Sequence, residues 1–269
     1  MPKNTNERFH DRISGRYDAI YDDDPYHLLL RDLTLAHVKP HLPRDFAHPL
    51  LDAGCGTGWF GARLSKSGFA VDFLDMSQGM LDQARARMES EKPRVAPEFF
   101  HGGLEQIATL TTKTYALVIA IGDILSFVDD PVRTLRSLAK RMTAGGIFLG
   151  TVDQKLAGLE HFLERGDLDA LARFAKDGKT VWLGGTKDER FATRMYTAEE
   201  IRDVFDKAGF DVVDVVGKTV LPLRNFRDRL DDPKVRREVF DLERKLQAIP
   251  SALGRASHLE VLAKRRPTS

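Results

Sequence analysis

Cysteine is nearly absent: Cys55 is the only one among 269 residues. A single thiol cannot close an intrachain disulfide, and a thiolate metal cluster needs more than one. No metal site is expected. No run approaches the roughly 18 apolar residues of a membrane span, and no apolar signal core opens the chain. An excess of one charge sign is missing too. Charged residues make up 30% of the chain, yet the net charge is only +1, which argues against a nucleic-acid binder. Basic residues outnumber acidic ones after Lys218, and a solvated helix face with a basic tail accounts for that. Repeats and low-complexity segments are lacking. The reading is a cytoplasmic chain with no membrane contact. Its 42% hydrophobic residues suffice for one α/β core with insertions.

Glycine, by contrast, is concentrated. Pro49-Leu50-Leu51 reads as a buried strand, Gly54, Gly56 and Gly58 turn the chain, and Trp59 to Leu64 carries helical spacing. Strand, glycine turn and helix form a cofactor cradle, because glycine admits a ligand close to the backbone and a helix start offers free N–H groups. Phe69 to Leu74 reads as a second strand, with Asp75 at its carboxyl end. Ligands of open α/β sheets bind at that edge, and an acid about twenty residues past the glycines can grip a ribose diol. The alternative is that Asp75 caps the helix around Met80. Gly56-Thr57-Gly58-Trp59-Phe60-Gly61 also fits the dinucleotide pattern G-x-G-x-x-G. That pattern begins at the strand end, however, and Gly56 lies beyond it. Counted from Gly54, the third glycine falls on the bulky Trp59.

Along the chain, residues 1–11 read as polar and frayed. Arg12 to Val38 reads as two helices broken at Asp22-Asp23-Asp24-Pro25. Glu98 to His101 is a third strand. Ala116 to Ile121 is a fourth, apolar throughout as a strand buried on both faces requires. Asp130-Pro131 starts a helix, Thr143-Ala144-Gly145-Gly146 stops it, and Ile147 to Val152 is a fifth strand. From Asp153 to Arg194 the alternation breaks into two short helices and a hairpin, residues 180–183 and 191–196 around 184–189. Thr197 to Glu200 is a capping box for a helix ending at Ala208-Gly209. Phe210 to Val216 is a strand. Asp232-Pro233 opens a helix whose stripe Val235, Val239, Leu242, Leu246 and Ile249 reads as core, and Ser257 to Lys264 alternates as a final strand. Seven strands among helices give an α/β, doubly wound sheet.

Asp52-Ala53-Gly54-Cys55-Gly56-Thr57-Gly58, followed by Asp75-Met76-Ser77, resembles the glycine motif of class I S-adenosylmethionine (SAM) dependent methyltransferases of the small-molecule type. The resemblance covers residues 12–152 and, more loosely, the chain to Lys264. It implies a Rossmann-like seven-stranded sheet of order 3-2-1-4-5-7-6 and SAM as the cofactor. Residues 1–45 then form N-terminal lid helices, 46–152 the SAM-binding core, 153–196 a cap insertion, and 197–269 the rest of the sheet and its helices. The resemblance implies cofactor contacts from Asp52, Gly54, Cys55 and Gly56 in the turn. Asp75 and Met76 would add contacts at the ribose, Gly103, Leu104 and Glu105 near adenine, and Ile121 at the end of the fourth strand. Tyr17 and Tyr21 would close from the lid, or simply pack it. Gly103 stands where the family usually carries an acid for the adenine amino group, so that contact must come from elsewhere or be absent.

A sulfonium methyl is already activated, so alignment does most of the work and a base is needed only when the acceptor has a proton to lose. Asp123, just past the fourth strand, is the base candidate; otherwise it caps the following turn. His101, His161 and Tyr196 are weaker candidates. Trp182 and Tyr196 are expected to face the acceptor from the cap. Ile121-Gly122-Asp123-Ile124 is unlike the Asn/Asp-Pro-Pro-aromatic motif of nucleic-acid methyltransferases, and no loop of paired glutamates suits a protein arginine. A small-molecule methyl acceptor follows, with oligomerisation left open. Two other classes stay open: a nicotinamide-dependent oxidoreductase and a non-catalytic SAM-binding protein.

Overall fold

The computed structural model describes residues 5–21, 24–183 and 190–267. Two helices open it, α1 (Thr5–Tyr21) and α2 (Pro25–Val38). Asp24 caps α2 through the Tyr26 N–H, with Pro25 at the first helical position. The alternating part follows: β1 (Leu50–Ala53), α3 (Trp59–Lys66), β2 (Val71–Asp75), α4 (Gln78–Glu91) and β3 (Phe99–His101). Next come α5 (Ile107–Leu110), β4 (Tyr115–Ala120), α6 (Pro131–Ala139) and β5 (Met142–Asp153). The insertion holds α7 (Lys155–Glu164), α8 (Leu168–Asp177) and a hairpin of β6 (Lys179–Leu183) with β7 (Arg190–Arg194). The chain closes with α9 (Ala198–Ala208), β8 (Phe210–Lys218), α10 (Pro233–Gln247) and β9 (His258–Arg265). The expected hairpin connection 184–189 lies outside the described residues.

The main sheet runs β3-β2-β1-β4-β5-β9-β8, parallel through β5 and antiparallel at its last two strands. Counting strands of this sheet alone, that is the order 3-2-1-4-5-7-6. β1 and β2 are buried at every position, as strands sandwiched between helical layers must be. One apolar layer packs Phe148, Phe205 and Tyr115 on one face, and another packs Phe73, Leu81 and Leu117 on the other.

Two boundaries and one burial pattern differ from the sequence reading. Helix α1 begins at Thr5 and is not frayed, because Ile13 is buried and Asp11 is fixed by Ser77 and Gly79. Strand β5 begins at Met142, with a register break opposite Tyr115 and Leu117 that absorbs the Gly-Gly turn. Strand β9 is buried from Leu259 to Ala263 on both faces and does not alternate. The α10 stripe is also only partly core. Leu242 and Ile249 are exposed, whereas Glu243 is buried and accepts the Val220 and Leu221 N–H groups.

An ion pair is buried beneath α2. Lys218 of β8 reaches Glu260 of β9 at 2.5 Å and also bonds Thr34, while His37 Nδ1 lies 2.9 Å from the other Glu260 oxygen. Burial alone would raise the Glu260 carboxyl, but Lys218 and His37 outweigh it and hold the group down at about 2.

Candidate cofactor and acceptor site

The glycine turn joins β1 to α3 with Gly54, Gly56 and Gly58 all at positive φ, which L side chains rarely adopt. The N–H groups of Gly54 and Cys55 both donate to Leu74 O of β2, which locks the turn onto the neighbouring strand. A Cβ on Gly54 would lie 2.2 Å from Ile124 Cδ1. The turn after β4 thus sits directly on the turn after β1.

Asp75 organises this edge. Its Oδ2 accepts the Gly56 N–H and its Oδ1 the Ser77 N–H, each at 2.8 Å. A carboxylate has about four acceptor sites. Two bonds therefore orient the group and leave acceptor capacity for a diol. Helix α4 is capped by Ser77, through the Met80 N–H, and not by Asp75.

Beside Asp75 opens a cleft of about 840 Å³, within the range of small-molecule sites. Tyr17, Gly54, Gly56, Asp75 and Met76 line it, as do Gly103, Leu104, Glu105 and Ile121. Three expected cofactor residues are not part of that lining. Asp52 is buried with Oδ2 on the Gly61 N–H at 2.8 Å, so it staples the strand to α3. Burial pushes its carboxyl up to about 7. Cys55 is a packing residue against the α3 side of the core, and burial pushes its thiol up. Tyr21 packs against Tyr17 with ring centroids 4.3 Å apart and tilted, and meets His27 at 4.6 Å, so it backs the tyrosine that faces the cleft. Tyr17 itself covers Gly56, with Cε1 3.8 Å from where a Cβ there would stand.

The cleft also takes residues the sequence reading missed. Asn6 and His10 of α1, Phe127 after β4, and Phe191 of β7 line it. The Phe127 and Phe191 rings meet edge to face at 5.3 Å, and Phe9 approaches Phe191 at 6.1 Å. Helix α1, the turn after β4 and strand β7 thus share one cluster of aromatic rings.

Asp123 has φ +60° and does not line the cleft, although its neighbours Gly122 and Ile124 do. Thr151 Oγ1 accepts both the Gly122 and Asp123 N–H groups, which fixes this turn over β5. The Asp123 carboxylate lies 3.2 Å from His258 Nδ1, and Asp153 lies 3.6 Å from the same nitrogen. The antiparallel register brings them together, since Asp153 pairs with His258. Burial alone would lower His258, but Asp123 and Asp153 push the imidazole up to about 9. Burial opposes Asp123 ionisation; His258 overcomes it and holds that carboxyl below its usual range. Asp153, buried and next to Asp123, is pushed up to about 7.

The weaker base candidates fall elsewhere. His101 is exposed with Nε2 2.9 Å from Met76 O, and His161 sits on α7. Tyr196 is a correction: it is fully buried, donates its hydroxyl to Leu125 O, and faces no acceptor. The Trp182 side chain lies outside the described residues.

A nucleoside cofactor suits this cleft: a glycine-floored turn, a carboxylate with spare acceptor capacity, and the Tyr17 ring over the turn. Residues 50–146 match the family described as "Methyltransferase domain". The ubiquinone biosynthesis O-methyltransferase of Aliivibrio fischeri is 29% identical over 151 residues, 56% of this chain and 63% of that protein. The malonyl-[acyl-carrier protein] O-methyltransferase of Halalkalibacterium halodurans is 28% identical over 153 residues, 55% of each chain. The chain thus spans less than two thirds of the length of these curated relatives. In fold, the chain is similar to magnesium protoporphyrin IX methyltransferase from Synechocystis with bound S-adenosylhomocysteine. That comparison has a TM-score of 0.61 and 16% identity, and covers 97% of both chains. Sheet order, glycine turn and domain match agree: residues 50–146 form a methyltransferase domain, on the fold the chain shares with SAM-dependent methyltransferase structures. A nicotinamide oxidoreductase is set aside with that assignment. No helix among the described residues is long and apolar enough to cross a membrane.

Proposed function

We propose that the protein transfers a methyl group from SAM to an oxygen of a small-molecule acceptor. The observation that carries this is the Gly54–Gly58 turn with Asp75 beside it on one cleft. Bound SAM supplies a methyl already activated by its sulfonium charge. The chain's own part is to hold, align and exclude water. Asp75, oriented by the Gly56 and Ser77 N–H groups, takes the ribose hydroxyls, and Tyr17 covers the turn. Met76 and Leu104 flank the adenine region, and Ile121 with Gly122 floors the cleft past β4. The insertion reaches the cleft through Arg190, Phe191 and Ala192, which supports the segment 153–196 as the acceptor cap. Oxygen is favoured because the relatives named above are O-methyltransferases. A hydroxyl acceptor must also lose a proton, and Asp123, paired with His258 behind Gly122 and Ile124 and off the cleft lining, would take it through one bridging water.

Asp75→Ala should weaken SAM binding by about 1.5–3 kcal/mol, the range for hydrogen bonds to a charged group. An unchanged dissociation constant would remove the ribose assignment. The function itself is tested by incubating the full chain with methyl-labelled SAM and a panel of phenols, alcohols and carboxylic acids. Label in an ether or ester is the expected product. Binding of SAM with no transfer across all acceptor classes would instead favour a non-catalytic SAM-binding protein.

A further inference from the structure

The anchors of α1 decide which of its faces meets the cleft. Asp11 accepts from Ser77 Oγ and the Gly79 N–H just past β2, and Asp18 bonds Thr57 Oγ1 in the turn after β1. Between these anchors Tyr17 covers Gly56. His10 stands seven residues before Tyr17, two turns of about 3.6 residues, so both rings leave the same side of the helix. Both line the cleft, Tyr17 over the glycine turn and His10 beside the Asp11 anchor at the end of β2.

The helix itself sets the His10 tautomer. Nδ1 lies 2.9 Å from the Asn6 backbone oxygen, one turn back. A carbonyl oxygen only accepts, so Nδ1 carries the hydrogen and Nε2 of the neutral ring is a bare acceptor. Nε2 has no hydrogen-bond partner among the described residues, and it is not sealed inside the protein as Nε2 of His161 is. The ring sits between Phe9, edge to face at 5.0 Å, and Phe191 at 6.5 Å. Asp75 is within its electrostatic reach. Burial holds the Asp75 carboxyl above its usual range, and the Ser77 and Gly56 N–H groups, followed by His10, pull it back down. No hydrogen bond joins the two side chains, so a group seated between them meets an acceptor on each side. A vicinal diol supplies two O–H donors for such a pair. We propose that His10 Nε2 shares the cofactor's ribose diol with Asp75, accepting a hydrogen bond from one of its hydroxyls. This rests on the SAM reading above. The diol is then gripped by β2 and α1 together, so docking of α1 and recognition of the ribose are coupled.

Calorimetry on the full chain tests this with three ligands: S-adenosylhomocysteine and its 2′-deoxy and 3′-deoxy forms. His10→Phe keeps a ring between Phe9 and Phe191 but removes the acceptor. It should weaken S-adenosylhomocysteine about tenfold, as loss of one buried hydrogen bond requires. One deoxy form, the one lacking the hydroxyl that His10 holds, should bind His10→Phe within about twofold of its binding to the unaltered protein. His10→Gln returns an acceptor oxygen near Nε2 and should recover most of the S-adenosylhomocysteine affinity. Unchanged S-adenosylhomocysteine binding in His10→Phe, or an equal loss of all three ligands, would overturn the proposal. If Asp75→Ala weakens binding while His10→Phe does not, the proposal falls and the cofactor reading stands. Failure of the unaltered protein to bind S-adenosylhomocysteine would overturn both.

Discussion

Lys218→Met should lower the free energy of unfolding by about 3–5 kcal/mol, the cost of leaving one partner of a buried ion pair alone. Glu260 is fully buried, and its carboxylate is held by Lys218, Thr34 and His37. Removing the ammonium leaves a charge with only Thr34 and His37 to solvate it. The double variant Lys218→Met with Glu260→Leu should recover most of the loss, because an apolar pair of similar volume replaces a buried ion pair at little cost. Urea unfolding midpoints measure both. The pH dependence has a definite sign. The Glu260 carboxyl is depressed from its ordinary value to about 2. Its stabilisation is therefore complete above pH 4.5 and lost as the pH falls through about 2. Equal stability of Lys218→Met and the unaltered protein would show that α2 does not depend on this pair.

Asp123→Asn should cut turnover by about 10²–10⁴-fold, the usual worth of a general base, while SAM affinity stays within about threefold. The two effects separate because Asp123 stands behind Gly122 and Ile124, touches no part of the cofactor side of the cleft, and would meet the acceptor's proton through a bridging water. His258→Gln should act through Asp123: with the imidazolium gone, burial raises the carboxyl and the acid limb of the pH–rate profile moves upward. His258 also contributes to stability. Its pKa is raised to about 9, so that contribution is complete below about pH 6.5 and fades as the pH rises through 9. Turnover of Asp123→Asn equal to that of the unaltered protein would remove Asp123 from the chemistry.

The parts of the site legible in the sequence are those made within one short segment. The glycines of the turn and the acid ending β2 announce themselves by spacing, and the two strands that carry them pair directly. Asp52 stands two residues before Gly54, which lines the cleft, but its own side chain turns back onto the Gly61 N–H, a contact that sequence spacing does not show. Tyr196 closes the insertion, where an aromatic ring suggests the wall of a pocket, but it plugs the core under Leu125. Asn6, Phe191 and His258 come from distant segments, and only tertiary packing brings them to the cleft or its edge. His258 did carry a usable signal. With order 5-7-6 and an antiparallel last strand, the residue starting that strand must lie beside the end of β5. Asn6 carried a weaker one, since the apolar helical spacing of Ile13 with Phe9 already extends α1 backward through the polar segment.

Titration calorimetry of the unaltered full chain with S-adenosylhomocysteine, repeated with NAD, tests the central assignment most directly. One-to-one binding of S-adenosylhomocysteine, weakened by Asp75→Ala, with no heat from NAD, is the expected result. Binding of NAD in the same cleft, or no binding of S-adenosylhomocysteine at all, would contradict it.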